Sequence, residues 1–203
     1  MKTYTVNEVY RSLQGEGMRA GTANVFVRFT GCNLRCDIKE SHLSPGGFAC
    51  DTEFASGRPW ELEALVQWII GEAGAVRAVI FTGGEPGLQL DAELMAALKD
   101  RGFYLAIETN GTIELPPGLD WIACSPKVAE HAVKQKFAHE LRYVRAYGQG
   151  IPKPSCKAEN LMISPAFSGL ELDQRALAWC QKLVLENPAW RLSVQMHKFL
   201  SIR

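Results

Sequence analysis

The feature of this sequence that most constrains its fold is an alternation of short apolar runs with amphipathic segments. Runs at 24–30, 78–81 and 103–107 are rich in β-branched and aromatic residues, as buried strands are. Between them, residues 59–71 and 91–100 repeat apolar side chains at helical spacing. Strands that alternate with helices form parallel sheets, so we expect an α/β fold.

The second half of the chain continues this pattern less regularly. Apolar runs at 121–124 and 161–163 each end at a Ser-Pro pair, and both are predicted to be strands. Helical spacing over 173–185 precedes a last short strand at 190–194. The polar, glycine-containing stretch at 128–154 has no clear periodicity, although residues 139–144 resemble a strand.

Chain length limits the architecture. A complete eight-fold α/β barrel usually has about 250 residues, whereas this chain has 203. We therefore predict one domain over residues 1–203 that forms a shortened, open (β/α) partial barrel. Functional groups in such folds lie at the C-terminal ends of the strands. Five polar or thiol side chains fall at those positions: Cys32, Thr82, Glu108, Ser125 and Ser164.

Composition and charge exclude several classes of partner. The 22 basic residues balance the 22 acidic ones, so the net charge does not favour nucleic acid as a partner. The sequence has no apolar run long enough to span a membrane and no secretory signal, so we expect a cytoplasmic protein without a membrane partner. In a reducing cytosol, cysteines are expected to be thiols or metal ligands. The isolated Cys124, Cys156 and Cys180 are expected to be buried as small apolar side chains.

Cys32, Cys36 and Cys50 are the candidates for a metal site. Three thiolates leave one coordination position open, which favours catalysis. With His42 as a fourth ligand they would form a closed structural zinc site, and their spacing alone does not decide between zinc and an iron–sulfur cluster. Residues 82–86, Thr-Gly-Gly-Glu-Pro, follow a predicted strand, where paired glycines allow either a tight turn or a close backbone approach to a ligand.

A cysteine loop after one strand and a Gly-Gly-Glu-Pro turn after the next resemble the radical S-adenosylmethionine (SAM) superfamily. Within that superfamily, the chain is similar to the 7-carboxy-7-deazaguanine synthases from near its N-terminus to its last residues. Six separated segments carry this similarity in the same order: residues 13–17, 28–34, 50–52, 107–111, 125–127 and 192–198.

The resemblance implies a partial barrel of the radical SAM type, with a cluster-binding loop at about 31–52. It also implies a lyase that converts 6-carboxy-5,6,7,8-tetrahydropterin to 7-carboxy-7-deazaguanine with loss of ammonia, in 7-deazapurine biosynthesis of the queuosine type. The implied cofactors are a [4Fe-4S] cluster, S-adenosylmethionine and Mg²⁺. The implied partners are a flavodoxin-type electron donor and a second copy of the chain.

The resemblance further implies site residues at the matching positions of this chain. The cluster ligands would be Cys32, Cys36 and Cys50, and Thr52 would contact magnesium. The substrate-binding positions would be Leu13, Gln14, Gly15, Glu16, Arg28, Thr82, Glu108, His197 and the terminal carboxylate of Arg203. The positions that bind S-adenosylmethionine would be Gly83, Gly84, Glu85, Ser125, Pro126, Lys127, Ser164, Pro165, Ala166 and Phe167.

Two features of the sequence leave alternatives open. Arg28 either forms an ordinary surface ion pair or binds the substrate carboxylate. Its place in a predicted buried strand favours a specific partner and so the second role. The interval between Cys36 and Cys50 holds thirteen residues, 37–49, whereas the superfamily pattern is Cys-x3-Cys-x2-Cys. Closure entropy grows only logarithmically with loop length, so this insertion is compatible with cluster assembly, and we hypothesise that it helps to select the electron donor.

Two other functions compete with this interpretation. One is a member of the same superfamily that places its radical on a protein partner. The other is a binding module that zinc stabilises and that has no catalytic activity.

Overall fold

A computed structural model of the chain describes residues 2–34, 36, 50, 52–168 and 171–202. Within these described residues, nine strands form one sheet, and two further short strands pair with each other. The strands are β1 Thr3–Leu13, β2 Ala23–Phe29, β3 Arg58–Glu61, β4 Ala78–Gly83, β5 Tyr104–Thr109, β6 Trp121–Cys124, β7 Phe137–Arg145, β8 Lys157–Pro165, β9 Phe167–Ser168, β10 Glu171–Leu172 and β11 Trp190–Leu192. The α-helices are α1 Leu62–Ala73, α2 Ala92–Lys99, α3 Gln174–Glu186 and α4 Met196–Leu200. Single 3-10 turns lie at Gly17–Arg19, Pro86–Leu88 and Glu130–Ala132.

The sheet is mostly parallel. Its strands follow the order β11-β8-β7-β6-β5-β4-β2-β1-β3. The seven strands from β11 to β2 run parallel, and β1 is antiparallel to both of its neighbours. Because β11 and β3 are the two ends of this order in the part of the chain that the structure describes, the sheet is open, as predicted.

Carboxylate caps start the two helices whose positions were predicted best. Asp91 accepts a hydrogen bond from the Leu94 amide at 2.9 Å at the start of α2. Asp173 caps α3 in the same way, and such caps satisfy amides that have no partner within the helix. The helices predicted at 91–100 and 173–185 are thus confirmed. Within the described ranges, none of the helices has the length and apolar character needed to span a bilayer.

The start predicted for α1 is wrong. Pro59 belongs to β3, where it pairs with Thr5 of β1, and the helix begins only at Leu62. Proline is tolerated in β3 because this strand is at the edge of the sheet, where a missing backbone donor leaves no ladder bond broken.

The long strand β1 was not predicted, because its apolar positions do not keep a period of two. The pairing with β2 shifts its register between Val6 and Glu8. Tyr4, Val6 and Val9 therefore all join one apolar core, whereas Tyr10 joins the core on the other face. A bulge of this kind inserts one residue and reverses the alternation of faces along a strand.

Apolar side chains cover both faces of the sheet near its centre. On one face, Val27 and Phe81 pack with Leu65 of α1. On the other, Phe26 and Ile80 belong to a separate small core. Parallel strands that are covered on both faces read as continuous apolar runs, which is why these strands were visible in the sequence.

A further apolar core lies under α3. Cys180 of this helix packs there with Leu141 of β7 and Ile163 of β8. Cys124 and Cys156 belong to the same core. All three isolated cysteines are free thiols and are buried, as predicted.

Strand register places polar side chains together at the C-terminal ends of the parallel strands. Arg28 on β2 is the register partner of Thr82 on β4. Ala123 on β6 aligns with Glu108 of β5 on one side and with Glu140 of β7 on the other. Register partners in neighbouring strands point to the same face of a sheet. One face therefore collects charged groups at this end.

Candidate active site

A cavity of about 550 Å³ lies at the C-terminal ends of the parallel strands. This volume is within the range that small-molecule and cofactor sites occupy. Twelve of the predicted site residues line it: Glu16, Cys32, Cys36, Cys50, Thr52, Thr82, Gly83, Gly84, Glu108, Ser125, Pro126 and Lys127. This cavity is the candidate active site.

Three thiols reach the cavity from the loop that follows β2. The Cys32 sulfur accepts a hydrogen bond from the Leu34 amide at 3.4 Å, and the side-chain nitrogen of Asn110 lies 4.0 Å from it. Burial raises the pKa of Cys32, and the neighbouring Cys36 and Cys50 add to the rise. Three sulfur donors that line one cavity fit an iron–sulfur cluster with one open position.

The described residues do not form a closed zinc site. Among them, no three Cys, His, Asp or Glu side chains, the cysteines included, are grouped so that they could hold a single metal ion. A four-iron cluster offers each cysteine its own iron atom, so its ligands stand farther apart than those of one ion. His42 and the rest of segment 37–49 lie outside the described residues, as do Asp51 and Arg203.

The glycine pair at the end of β4 is required by close contact with the cysteine loop. A Cβ added to Gly83 would lie 2.1 Å from the Phe29 carbonyl oxygen. One added to Gly84 would lie 2.0 Å from the Gly31 carbonyl oxygen. Both distances are shorter than non-bonded contacts allow, so only glycine lets the two backbone segments meet here.

The amides of Gly84 and Glu85 bind the end of β2 and the start of the cysteine loop. Gly84 N donates to the Phe29 carbonyl at 3.3 Å, and Glu85 N donates to the Gly31 carbonyl at 3.0 Å. Both amide hydrogens are therefore engaged within the protein, and only the carbonyl groups of this turn keep acceptor capacity for a ligand. The two amides fix the loop that carries the first cysteine, while the glycine pair still lines the cavity.

The Glu85 carboxylate joins two parts of the protein by buried hydrogen bonds. It is fully buried and accepts hydrogen bonds from the Gly87 amide at 2.9 Å, the Thr109 hydroxyl at 2.8 Å and the Asn110 amide at 2.7 Å. Burial raises the pKa of Glu85, and these three donors oppose the rise. The carboxylate ties the end of β4 to the end of β5 and so sets the position of the glycine pair.

A buried ion cluster forms a second part of the cavity wall. Arg142 on β7 is 7% exposed. Its Nε contacts Glu16 Oε2 at 2.9 Å, its Nη2 contacts Glu108 Oε2 at 2.5 Å, and its Nη1 contacts Glu140 Oε1 at 2.8 Å. One guanidinium thus meets three carboxylates, so negative formal charge exceeds positive charge in the cluster.

The charged groups of this cluster shift one another's pKa values. Burial raises the pKa of Glu108 to about 7, with Glu140 and Glu16 adding to the rise and Arg142 opposing it. Burial acts in the same direction on Glu16, but Arg142 and the Gln195 side chain hold its pKa below the ordinary value. Burial disfavours the charge of Arg142, yet the three carboxylates raise its pKa. The pKa of Glu108 therefore lies near neutral pH.

The C-terminal segment packs against the loop that follows β1. Met196 N donates to the Gly15 carbonyl at 2.8 Å, and Gln195 Nε2 donates to Glu16 Oε1 at 2.7 Å. A Cβ added to Gly15 would lie 2.3 Å from His197 Nδ1, so glycine allows the imidazole to pack on this backbone. The predicted substrate loop and His197 therefore meet, although nearly the whole chain separates them in sequence.

Comparison with known proteins places the chain in a family. No protein-family model matches it. It is 41% identical to the 7-carboxy-7-deazaguanine synthase of Caulobacter vibrioides, over 98% of this chain and 99% of that protein. The synthases of Bordetella pertussis and Bradyrhizobium diazoefficiens are 39% and 40% identical to it, over 98% and 99% of this chain and 99% and 100% of the relatives. The chain belongs to the 7-carboxy-7-deazaguanine synthase family.

A solved structure from the synthase family agrees with the fold. The crystal structure of QueE from Escherichia coli matches with a TM-score of 0.70, at 25% identity and over 96% of this chain and 95% of that one. The predicted radical SAM partial barrel is thereby confirmed. As a member of the synthase family, the chain is an enzyme that uses a [4Fe-4S] cluster and S-adenosylmethionine, as predicted. Neither the protein-activating enzyme nor the zinc-stabilised module is favoured.

Arg28, a predicted substrate contact of the synthase site, has partners within the protein. Its Nε donates to Glu8 at 2.8 Å and its Nη2 donates to the Tyr10 hydroxyl at 3.1 Å. These contacts pair the charge of Arg28 with Glu8, so burial alone does not require a substrate partner, and they leave other N–H donors of the guanidinium for a ligand. Arg28 nevertheless lies next to the site, because its register partner Thr82 lines the cavity.

Other predicted synthase residues lie beside the cavity. Leu13 ends β1 and is 39% exposed, whereas Gln14 Nε2 donates to Glu108 Oε1 at 2.8 Å. The Ala166 amide donates at 3.1 Å to the carbonyl of Arg145, which does line the cavity. Four predicted residues at the end of β8 and the start of β9 do not line the described part of the wall: Ser164, Pro165, Ala166 and Phe167.

Sequence reasoning missed Glu140, Arg142 and Gln195. The first two fall in the stretch without clear periodicity, yet one signal was available there. Two charged residues at alternate positions of a strand-like run point to the same face. Charged side chains on a buried strand are rare unless they are paired, so this pattern indicates an internal ion cluster. Gln195 lies inside the matching segment 192–198 but was not singled out.

Proposed function

We propose that this chain converts 6-carboxy-5,6,7,8-tetrahydropterin to 7-carboxy-7-deazaguanine with loss of ammonia, as a step in 7-deazapurine biosynthesis. One observation carries the proposal. Three thiols, a glycine pair and two carboxylates from separate parts of the chain line a single cavity in a member of the synthase family.

The cofactor side of the cavity has the donors that the reaction needs. Cys32, Cys36 and Cys50 would hold the cluster, and when bound, cluster and S-adenosylmethionine supply the radical chemistry that removes a hydrogen atom from the substrate. The protein holds the reactants in place and excludes water. The residues proposed to contact S-adenosylmethionine are Gly83, Gly84, Glu85, Ser125, Pro126, Lys127, Ser164, Pro165, Ala166 and Phe167.

The carboxylate side of the cavity suits the pterin ring. Glu16 and Glu108 both line it, and carboxylates accept hydrogen bonds from the amino and ring N–H groups of such a heterocycle. Gln14 holds Glu108 in place. The remaining proposed substrate contacts are Leu13, Gly15, Thr82, His197 and the terminal carboxylate of Arg203.

Arg28 and Thr52 are proposed to act at the substrate carboxylate. A planar guanidinium can meet a carboxylate with two parallel hydrogen bonds, and Arg28 would do so while it keeps a contact with Glu8 or Tyr10. Thr52 lines the cavity and offers a hydroxyl oxygen, the kind of ligand that Mg²⁺ prefers. A magnesium ion between this hydroxyl and the substrate carboxylate is part of the proposal.

The cellular setting completes the proposal. We propose a cytoplasmic, single-domain protein of residues 1–203 that pairs with a second copy and takes electrons from a flavodoxin-type donor. The segment 37–49 follows a cluster ligand directly in sequence, which supports a role in the choice of donor.

The experiment compares Cys36→Ala with Cys156→Ala after oxygen-free purification. We expect Cys36→Ala to lose both bound iron and turnover of the pterin, because it removes a cluster ligand. Cys156 is a buried thiol outside the cavity wall, so its variant should keep both. Full iron content in Cys36→Ala would show that the ligands are misassigned. A wild-type protein that cleaves S-adenosylmethionine but leaves the pterin unchanged would refute the proposed reaction.

A further inference from the structure

We infer that Arg142 and Glu140 are positioning residues, which hold the substrate-facing carboxylates Glu16 and Glu108 in one fixed arrangement for the donor-rich edge of a heterocycle. This inference rests on the proposed function and deepens it. Arg142 lines the cavity together with both carboxylates, while Glu140 is only 1% exposed and lies behind them.

The Arg142 guanidinium holds three carboxylates, each in a different direction. Each of its nitrogens contacts a different carboxylate, at 2.9 Å for Glu16, 2.5 Å for Glu108 and 2.8 Å for Glu140. Arginine is planar and rigid in this respect, whereas lysine places one charge at the end of a flexible chain. The positions of Glu16 and Glu108 relative to each other are therefore set by one side chain.

Glu140 anchors this arrangement from behind. Its Oε2 accepts a hydrogen bond from the Met18 amide at 2.8 Å. A Cβ added to Gly17 would lie 2.1 Å from Glu140 Oε1, so the turn after Glu16 is closed against this carboxylate. Glu140 thus fixes Arg142 with one oxygen and the loop that carries Glu16 with the other.

The two forward carboxylates keep acceptor capacity for a ligand. Gln195 binds the other oxygen of Glu16 at 2.7 Å, and Gln14 binds that of Glu108 at 2.8 Å. An ionised carboxylate has about four acceptor sites. The described contacts use one site on each oxygen, which leaves room for N–H donors that approach from the cavity.

The excess of negative charge in the cluster favours the binding of N–H donors. Three carboxylates share one guanidinium at contact distance, with Arg19, Lys127 and His197 acting on them from farther away, and excess negative charge in a buried cluster is unfavourable. In the free protein, a proton on Glu108 relieves the imbalance, consistent with its raised pKa of about 7. In the complex, the amino and ring N–H groups of a pyrimidine-type edge would relieve it by hydrogen bonds.

The test measures pterin affinity in Arg142→Lys, with Arg101→Lys as the matched control. Arg101 also pairs with a carboxylate, Glu63 at 3.3 Å, but this pair is on the surface. We expect KM and the dissociation constant for the pterin to rise about tenfold or more in Arg142→Lys, as for the loss of a charge-assisted hydrogen bond. We expect kcat to fall less than KM rises, and iron content to stay unchanged. The control should match wild type in all three.

A structural role alone would lower the active fraction, seen in kcat and iron content, and would leave KM unchanged. That result would overturn the inference. If Arg142→Lys does not fold, Glu140→Gln takes its place: a rise in KM of about threefold or more supports the inference, and an unchanged KM overturns it. If wild type itself neither binds nor converts the pterin, the proposed function fails instead, so the two failures are distinguishable.

Discussion

Two regions line the same cavity: the glycine pair at the end of β4 and the ion cluster at the ends of β5 and β7. Different interactions hold them in place. Gly83 and Gly84 are fixed by backbone contact, since any side chain would collide with the cysteine loop. Glu108 and Arg142 are fixed by charge in a buried environment. The first kind of site tolerates no added atom, and the second does not tolerate the loss of its central positive charge.

Removal of the central charge should have the largest effect. Arg142→Met leaves three buried carboxylates without their common partner, and we expect the free energy of unfolding at pH 8 to fall by about 3–5 kcal/mol. Chemical denaturation measures this. Arg101→Met, which breaks an exposed pair, should lose less than about 1 kcal/mol. Equal losses in the two variants would show that the buried cluster contributes no more to the free energy of unfolding than an exposed ion pair does.

One added methyl group at the glycine pair should have the next largest effect. In Gly84→Ala, the new Cβ would lie 2.0 Å from the Gly31 carbonyl oxygen. We expect a loss of about 3 kcal/mol in stability and a strong loss of bound iron, because the cysteine loop must move. The control is Gly71→Ala in α1, where a Cβ meets open space. It should stabilise the helix by up to about 1 kcal/mol. Normal iron loading in Gly84→Ala would contradict the steric account.

The pH dependence of stability should report Glu108. Its folded-state pKa of about 7 exceeds the ordinary 4.5, so the folded protein binds more protons than the unfolded chain between these values. The stabilisation is complete below the ordinary pKa and is lost as the pH rises through about 7. Charged groups that act on Glu108 are Arg142, Glu140, Glu16 and Arg19.

Glu108→Gln removes this titration. From pH 5 to pH 8, we expect wild type to lose about 2 kcal/mol in the free energy of unfolding relative to the variant. Thermal or chemical denaturation of both proteins at several pH values measures the difference. Parallel profiles would show that Glu108 titrates in its ordinary range.

The contrast between the glycine pair and the ion cluster also explains which parts of the site could be predicted from the sequence. Gly83 and Gly84 adjoin each other in the chain, so the motif was visible at once, although the contact with Phe29 and Gly31 that requires glycine was not. The ion cluster combines residues 108, 140 and 142, which strand register brings together, with residue 16 from the loop after β1. Register is not encoded locally. Glu16 was identified through the family resemblance, and Glu108 through that resemblance and through its position at the end of a predicted strand.

The fold was predicted where local signals agree with tertiary pairing. Continuous apolar runs identified the central strands because both of their faces are covered. The strand β1 was missed because a bulge reverses its alternation. Pro59 misled the assignment of α1 because its strand-edge role depends on pairing with Thr5, which lies 54 positions earlier (59 minus 5).

The central claim is that this cavity turns a pterin into a deazapurine. The most direct measurement incubates the iron-loaded protein, free of oxygen, with S-adenosylmethionine, Mg²⁺, a reductant and 6-carboxy-5,6,7,8-tetrahydropterin, and follows the products by mass spectrometry. We predict that 7-carboxy-7-deazaguanine and ammonia appear in equal amounts. Cleavage of S-adenosylmethionine with the pterin recovered intact would contradict the account.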